Sequence, residues 1–101
     1  MIRHIVLFSA RDKADIGRIV EGLAHLTRIP HARRLEIARN QKTDQLGNDV
    51  DVVVYGEFDD DAALAAYKAH PLYETAIRLV RPLRDIRLAA NYAVASAVAG
   101  P

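Results

Sequence analysis

The chain has 101 residues, 50% hydrophobic and 27% charged, with a formal net charge of +1. That is the composition of one globular domain, long enough to bury a core but short for an enclosed active site. So small a net charge gives no global field for nucleic acid or an anionic membrane, and the lack of cysteine excludes disulfides, thiol catalysis and thiolate metal sites and fits a reducing cytoplasm.

Residues Ile2 to Phe8 read as a strand that is apolar on both faces, with His4, Val6 and Phe8 on one and Ile5 and Leu7 on the other. Arg3 and His4 interrupt it, and the apolar run is too short for a signal peptide. From Asp12 to Leu26 the period changes: Ile16, Ile19, Val20, Leu23 and Leu26 recur at helical spacing, with Arg18, Glu21 and His25 pointing away. Ile29-Pro30 stops that helix. Alternation returns from Arg34 to Asn40, with Leu35 and Ile37 on one side, and Gly47-Asn48 marks a turn in the polar stretch that follows. Asp51 to Phe58 is the strongest strand, carrying Val52-Val53-Val54. Asp59 or Asp60 caps the next helix, whose positive first turn favours the neighbouring aspartates. That helix runs through Leu64 to about Ala69, where Pro71 interrupts or restarts it. Tyr73, Ala76, Ile77 and Val80 stripe the continuation, and Pro82 ends it. Arg84 to Tyr92 supplies a last strand, with Ile86, Leu88, Ala90 and Tyr92 on one face. No window of about 18 apolar residues exists to span a membrane.

The order β-α-β-β-α-β is the ferredoxin-like arrangement of an α+β domain. Two helices cover only one face of a four-stranded sheet. Yet the first and third strands are apolar on both faces, Val6 and Phe8 against Ile5 and Leu7, Val52 and Val54 against Val53 and Tyr55. An uncovered apolar face is a surface for a partner. The simplest closed solution is a twofold dimer with the sheets face to face; a monomer with an open sheet is the alternative.

Four segments, His4-Ile-Val-Leu-Phe8, Glu36-Ile-Ala-Arg-Asn40, Asp51-Val-Val-Val-Tyr-Gly-Glu-Phe58 and Tyr67-Lys-Ala-His-Pro71, resemble the stress-responsive dimeric A/B barrel (Dabb) family in order and spacing. The resemblance spans residues 2 to 92. It implies a homodimeric α/β barrel of ferredoxin-like subunits, with the domain at residues 1–92 and a tail at 93–101. It says little about reaction, since most members have no assigned activity. Some plant members are polyketide cyclases that use a tyrosine and a histidine for acid/base chemistry, and the resemblance places that tyrosine at Tyr67 and the first motif histidine at His70. Where those cyclases carry their catalytic histidine, two positions after the proline, this chain has Tyr73. Where an aspartate often precedes the last strand's tyrosine, it has Asn91 before Tyr92. A phenol, with a reference pKa near 10, is a poor general base at neutral pH, whereas an imidazole near 6.5 is a good one. The resemblance also places His4 at the pocket wall.

The candidate catalytic residues are therefore His4, Tyr67 and His70, and the candidate ligand-binding residues Val6, Phe8, Val54 and Tyr73. Each has a structural alternative. His4 serves equally as a hydrogen-bonded core histidine, His70 as a helix-junction residue before Pro71, and Tyr67 and Tyr73 as core phenols with their hydroxyls at the rim. His25 reads as exposed and His31 as a loop residue without a visible partner. No metal or cofactor is expected. His4, His70, Asp44, Asp49 and Asp51 have no ligand spacing, and Asp59-Asp60-Asp61 is explained as a cap. There is no phosphate loop, dinucleotide fingerprint or Gly-x-Ser-x-Gly elbow. Arg78, Arg81, Arg84 and Arg87 form a basic run, but aromatics do not interleave with them and nucleic acid is not an expected partner. Three readings stand: a barrel binding a small organic ligand, a cofactor-independent lyase, cyclase or monooxygenase, and an interaction dimer with its pocket packed shut. An open, polar-lined cavity of a few hundred cubic ångströms favours the first two, and a filled core the third.

Overall fold

In the computed structural model, which describes residues 1–101, the elements run β1 (Ile2–Ala10), α1 (Ile16–Ala24), β2 (Arg34–Arg39), β3 (Val52–Phe58), α2 (Asp61–Ala69), α3 (Pro71–Val80) and β4 (Arg84–Ala93). Short 3-10 turns at Lys13–Asp15 and His25–Arg28 extend α1 at both ends, and a third follows β4 at Val94–Ser96. The strands form one antiparallel sheet in the order β2-β3-β1-β4. This is the ferredoxin-like α+β fold. The two strands that are apolar on both faces, β1 and β3, are the two central ones, paired along both edges, while the helices cover only one of their faces.

Register assigns every side chain to a face. Val6 lies opposite Val54 and Ala89, and Ile5 opposite Tyr55 and Ala90. Val6, Phe8, Val52, Val54 and Phe58 therefore share the face that packs on Ile19, Leu23, Leu64, Tyr67, Ala76 and Val80 of the helices. Burying side chains of this size contributes about 1.5–3 kcal/mol each before entropy is counted. The opposite face carries Ile5, Leu7, Val53, Tyr55, Leu88 and Ala90, all partly or well exposed, with Leu88 at 58%. Gly22 allows α1 to lie close on α3: a Cβ there would stand 2.9 Å from Val80 Cγ2.

The junction before Pro71 is a restart. His70 is extended, as steric pressure from a following proline requires, so α2 stops at Ala69. His70 Nδ1 then accepts the Leu72 N–H at 3.1 Å and Pro71 occupies the first turn of α3. Asp60 caps α2 by accepting from the Ala63 N–H at 2.8 Å.

Asp51 acts as a staple. Its buried carboxylate accepts from the Ala10 N–H at 2.7 Å and pairs with Lys13 at 2.7 Å and Lys42 at 2.5 Å. Burial alone would raise its pKa, but hydrogen bonds from Lys13, Lys42 and Ala10 prevail and push it down to about 2. Nearby, the β1–β4 register shifts between Phe8 and Ala10, and the buried Ser9 hydroxyl accepts the Ile86 N–H at 2.8 Å.

Candidate functional site

A cavity of about 230 Å³ lies between the covered face of the sheet and the helices. Strand alternation brings His4, Val6 and Phe8 to it from β1 and Val54 from β3, while α2 and α3 supply Tyr67 and Tyr73. His70 does not line it. Its ring caps α3 and stands edge-on to His31, with centroids 6.1 Å apart. His31 thus has an aromatic neighbour that the sequence does not reveal, and His25 is half-buried rather than exposed.

Tyr67 is the centre of an aromatic cluster. Its ring centroid is 4.9 Å from Phe58, 5.3 Å from Tyr73 and 6.2 Å from His4, the latter two edge-on. Gly56, opposite His4 in the register, makes room for this arrangement: a Cβ there would come within 2.8 Å of the Phe58 ring. The Tyr67 hydroxyl is buried and has no protein hydrogen-bond partner. Burial, with a smaller contribution from Tyr73, raises its pKa well above the ordinary phenol value, and Arg87 opposes this. The phenol is a donor, not a base.

His4 is 1% exposed, and its Nδ1 is 2.5 Å from Asn91 Oδ1. An amide oxygen accepts, so the ring proton sits on Nδ1 and Nε2 keeps its lone pair. Burial lowers the His4 pKa; the Asn91 bond opposes this, and the charges of Lys68 and Arg87 add to it. The imidazole is neutral at pH 7.

Arg81, Arg84 and Arg87 also line the cavity. Sequence reading treats them only as part of a basic run. Strand parity holds the signal: with Ile86, Leu88 and Ala90 on the open face, Arg87, Ala89 and Asn91 must point to the helix side. No group of three or more His, Cys, Asp or Glu side chains converges in the chain, and no helix is long and apolar enough to cross a membrane.

Residues 2–94 match the profile of the stress responsive A/B barrel domain. The chain belongs to this family. A dimeric ferredoxin-like protein of unknown function from Thermobifida fusca is 26% identical to this A/B barrel protein, with a TM-score of 0.78 over 92% of this chain and 90% of that one. A Dabb-family protein from Mesorhizobium loti is 25% identical, with a TM-score of 0.75 over 91% of this chain and 94% of the other. A candidate antibiotic biosynthesis monooxygenase from Nitrosomonas europaea shares the fold at 19% identity, with a TM-score of 0.75 over 92% and 97% of the two chains. No curated protein matches the chain. Within the A/B barrel frame, the residue two positions after Pro71 is Tyr73, packed on Tyr67, and the partner of His4 is the amide of Asn91.

Proposed function

We propose that the protein is a homodimeric A/B barrel that binds a small organic ligand in the cavity walled by His4, Tyr67 and Tyr73. The observation that carries this reading is the unpartnered, buried hydroxyl of Tyr67, a residue that lines the cavity together with His4, whose Nε2 is free. Buried polar groups without partners are uncommon and mark places where a ligand completes the hydrogen bonding. Val6, Phe8 and Val54 offer an apolar wall for the body of the ligand. Tyr67 donates to one of its oxygens, and His4 Nε2 accepts from an O–H or N–H. The cavity also argues against the packed-shut interaction dimer.

Dimerisation is supported by the apolar stripe Ile5, Leu7, Val53, Leu88 and Ala90 on the uncovered face, and by the dimeric relatives from Thermobifida fusca and Jannaschia. A charge buried in that interface without a partner is costly. Ile5→Asp or Val53→Asp should therefore give monomers or unfolded chains in light scattering. A wild-type chain that is monomeric at micromolar concentration refutes the dimer. The binding reading is tested by a thermal-shift screen of small organic compounds, with hits compared between the wild type and Tyr67→Phe. Hits that bind both equally refute the role given to the hydroxyl.

A second reading, a cofactor-independent enzyme, is favoured by one observation. His4 lines the cavity with Nε2 free of any hydrogen bond, whereas His70 spends Nδ1 on a helix cap and does not line it. Turnover that survives His4→Ala but collapses in Tyr73→Phe would refute His4 as its base, since losing a general base costs about a hundredfold or more.

A further inference from the structure

Three arginines, Arg81, Arg84 and Arg87, line the cavity, the guanidinium of Arg84 donating to the Asp85 carbonyl at 3.2 Å, and no aspartate or glutamate lines it. None of the three takes part in an ion pair; those in the chain involve Lys13, Arg18, Arg33, Arg34 and Lys42. An adjoining depression shares Tyr73, Ile77 and Arg81 with the cavity and adds Arg11, Lys68 and Arg78 against the single acid Glu74. In a chain of net charge +1, this is a strong local excess of positive charge. Its acids sit elsewhere, with Asp51 held by two lysines and Asp59 by Arg33.

Unpaired like charges around one opening repel each other, and the fold keeps them there without counter-charges of its own. The charges reach inward too: the field of Arg87 acts on both His4 and Tyr67. Guanidinium is the side chain suited to planar, bidentate capture of a carboxylate. Behind the arginines the wall turns apolar, with Val6, Phe8 and Val54, and its polar groups, Tyr67 and His4, are neutral. One charged end and one apolar body are what this gradient accommodates.

We infer that the ligand is an organic carboxylate whose anionic group is held by Arg81, Arg84 and Arg87 while its apolar body enters the cavity toward Tyr67 and His4. This rests on the ligand-binding reading above and adds the chemical class of the ligand and the residues that select it.

The test compares carboxylates with their neutral amides of the same shape. Isothermal titration of the full-length protein uses 2-naphthoate against 2-naphthamide, 4-phenylbutyrate against 4-phenylbutyramide, and octanoate against octanamide. At least one carboxylate should bind about tenfold or more tighter than its amide, as charge-assisted hydrogen bonds require. Added salt should narrow that gap. Arg84→Gln and Arg87→Gln should each lower carboxylate affinity by about tenfold and amide affinity by much less, since a neutral carbonyl makes the weaker hydrogen bond. Retained amide binding then shows that the pocket is intact. Equal binding of carboxylate and amide overturns the carboxylate inference and leaves the ligand-binding reading standing. Arginine variants that lose both partners of a pair equally also overturn it, because the arginines would then shape the pocket rather than hold a charge. Failure of all six compounds to bind overturns both.

Discussion

Replacing Tyr67 with phenylalanine removes one oxygen and no protein hydrogen bond, because the hydroxyl is buried without a partner. A buried, unpaired hydroxyl costs about 1–3 kcal/mol relative to its hydrated state in the unfolded chain. The variant removes that cost. The oxygen's few contacts, at about 0.1–0.2 kcal/mol each, are lost. The balance is a stabilisation of about 1 kcal/mol at neutral pH, which for a domain of this size raises Tm by roughly 4–8 °C. A second signature appears in alkali. Burial holds the phenol protonated in the fold, with its pKa raised above 10.0, while the unfolded chain ionises near 10. The stability tied to this group is therefore complete below that pH. It falls as pH rises above about 10, by up to about 1.4 kcal/mol per pH unit, until the folded-state value is reached. Tyr67→Phe lacks that alkaline loss. Urea titrations of both proteins from neutral to alkaline pH measure both effects. Destabilisation by about 1 kcal/mol or more at neutral pH would show that the hydroxyl is bonded within the fold, and would refute the reasoning that makes it a ligand donor.

Asp51→Asn should cost about 2 kcal/mol at neutral pH, since the native carboxyl is held at about 2 against an ordinary 3.8. The depressed value means that the wild type keeps this stability above about pH 4 and loses it as pH falls toward 2, a limb that acid titration should find missing in the variant. Gly56→Ala places a methyl group 2.8 Å from the Phe58 ring and 3.0 Å from Leu35. Overpacking of this kind should destabilise the domain by about 1–3 kcal/mol in urea, and an unchanged midpoint would mean that the ring yields freely. Asn91→Asp sets a carboxylate against the His4 ring and should raise the His4 pKa by about one unit or more in an NMR titration; an unmoved value would place the new charge away from the imidazole.

The strands and the face each presents are legible in the sequence because a period of two leaves little freedom: once His4, Val6 and Phe8 share a face, Ile5 and Leu7 must share the other. Pro71 marks the helix junction for an equally local reason, the steric effect on His70. The first helix is less legible. Residues from Lys13 to Arg28 keep one apolar stripe while passing through two 3-10 turns around α1, and periodicity does not resolve those changes of winding. Long-range polar partnerships lie further still from local pattern. Asp51 meets Lys13 across 38 positions and His4 meets Asn91 across 87, and only the sheet register brings them together. The cavity arginines fall between these cases. As a run they resemble a solvated surface, and only parity along β4 separates Arg87 from Leu88 beside it.

On the proposed binding reading, Tyr73 and Asn91 favour holding a ligand over moving its protons. A base that takes a proton becomes an imidazolium, and burial at His4 disfavours that charge most. Lys68 and Arg87 disfavour it further, and the amide of Asn91 offsets them only in part, where an aspartate would offer a full counter-charge. A carboxylate held at the arginines would supply the negative charge that the protein omits. It would neutralise the field of Arg87 and raise the proton affinity of Nε2 once the ligand is seated. Under that logic binding comes first and controls any proton transfer, so the His4 pKa should rise in the complex with a bound carboxylate and stay unchanged with the matching amide. An NMR titration of His4 in the two complexes measures this. Equal values in both would show that the arginine field does not govern the imidazole, and would leave His4 as a hydrogen-bonding wall residue alone.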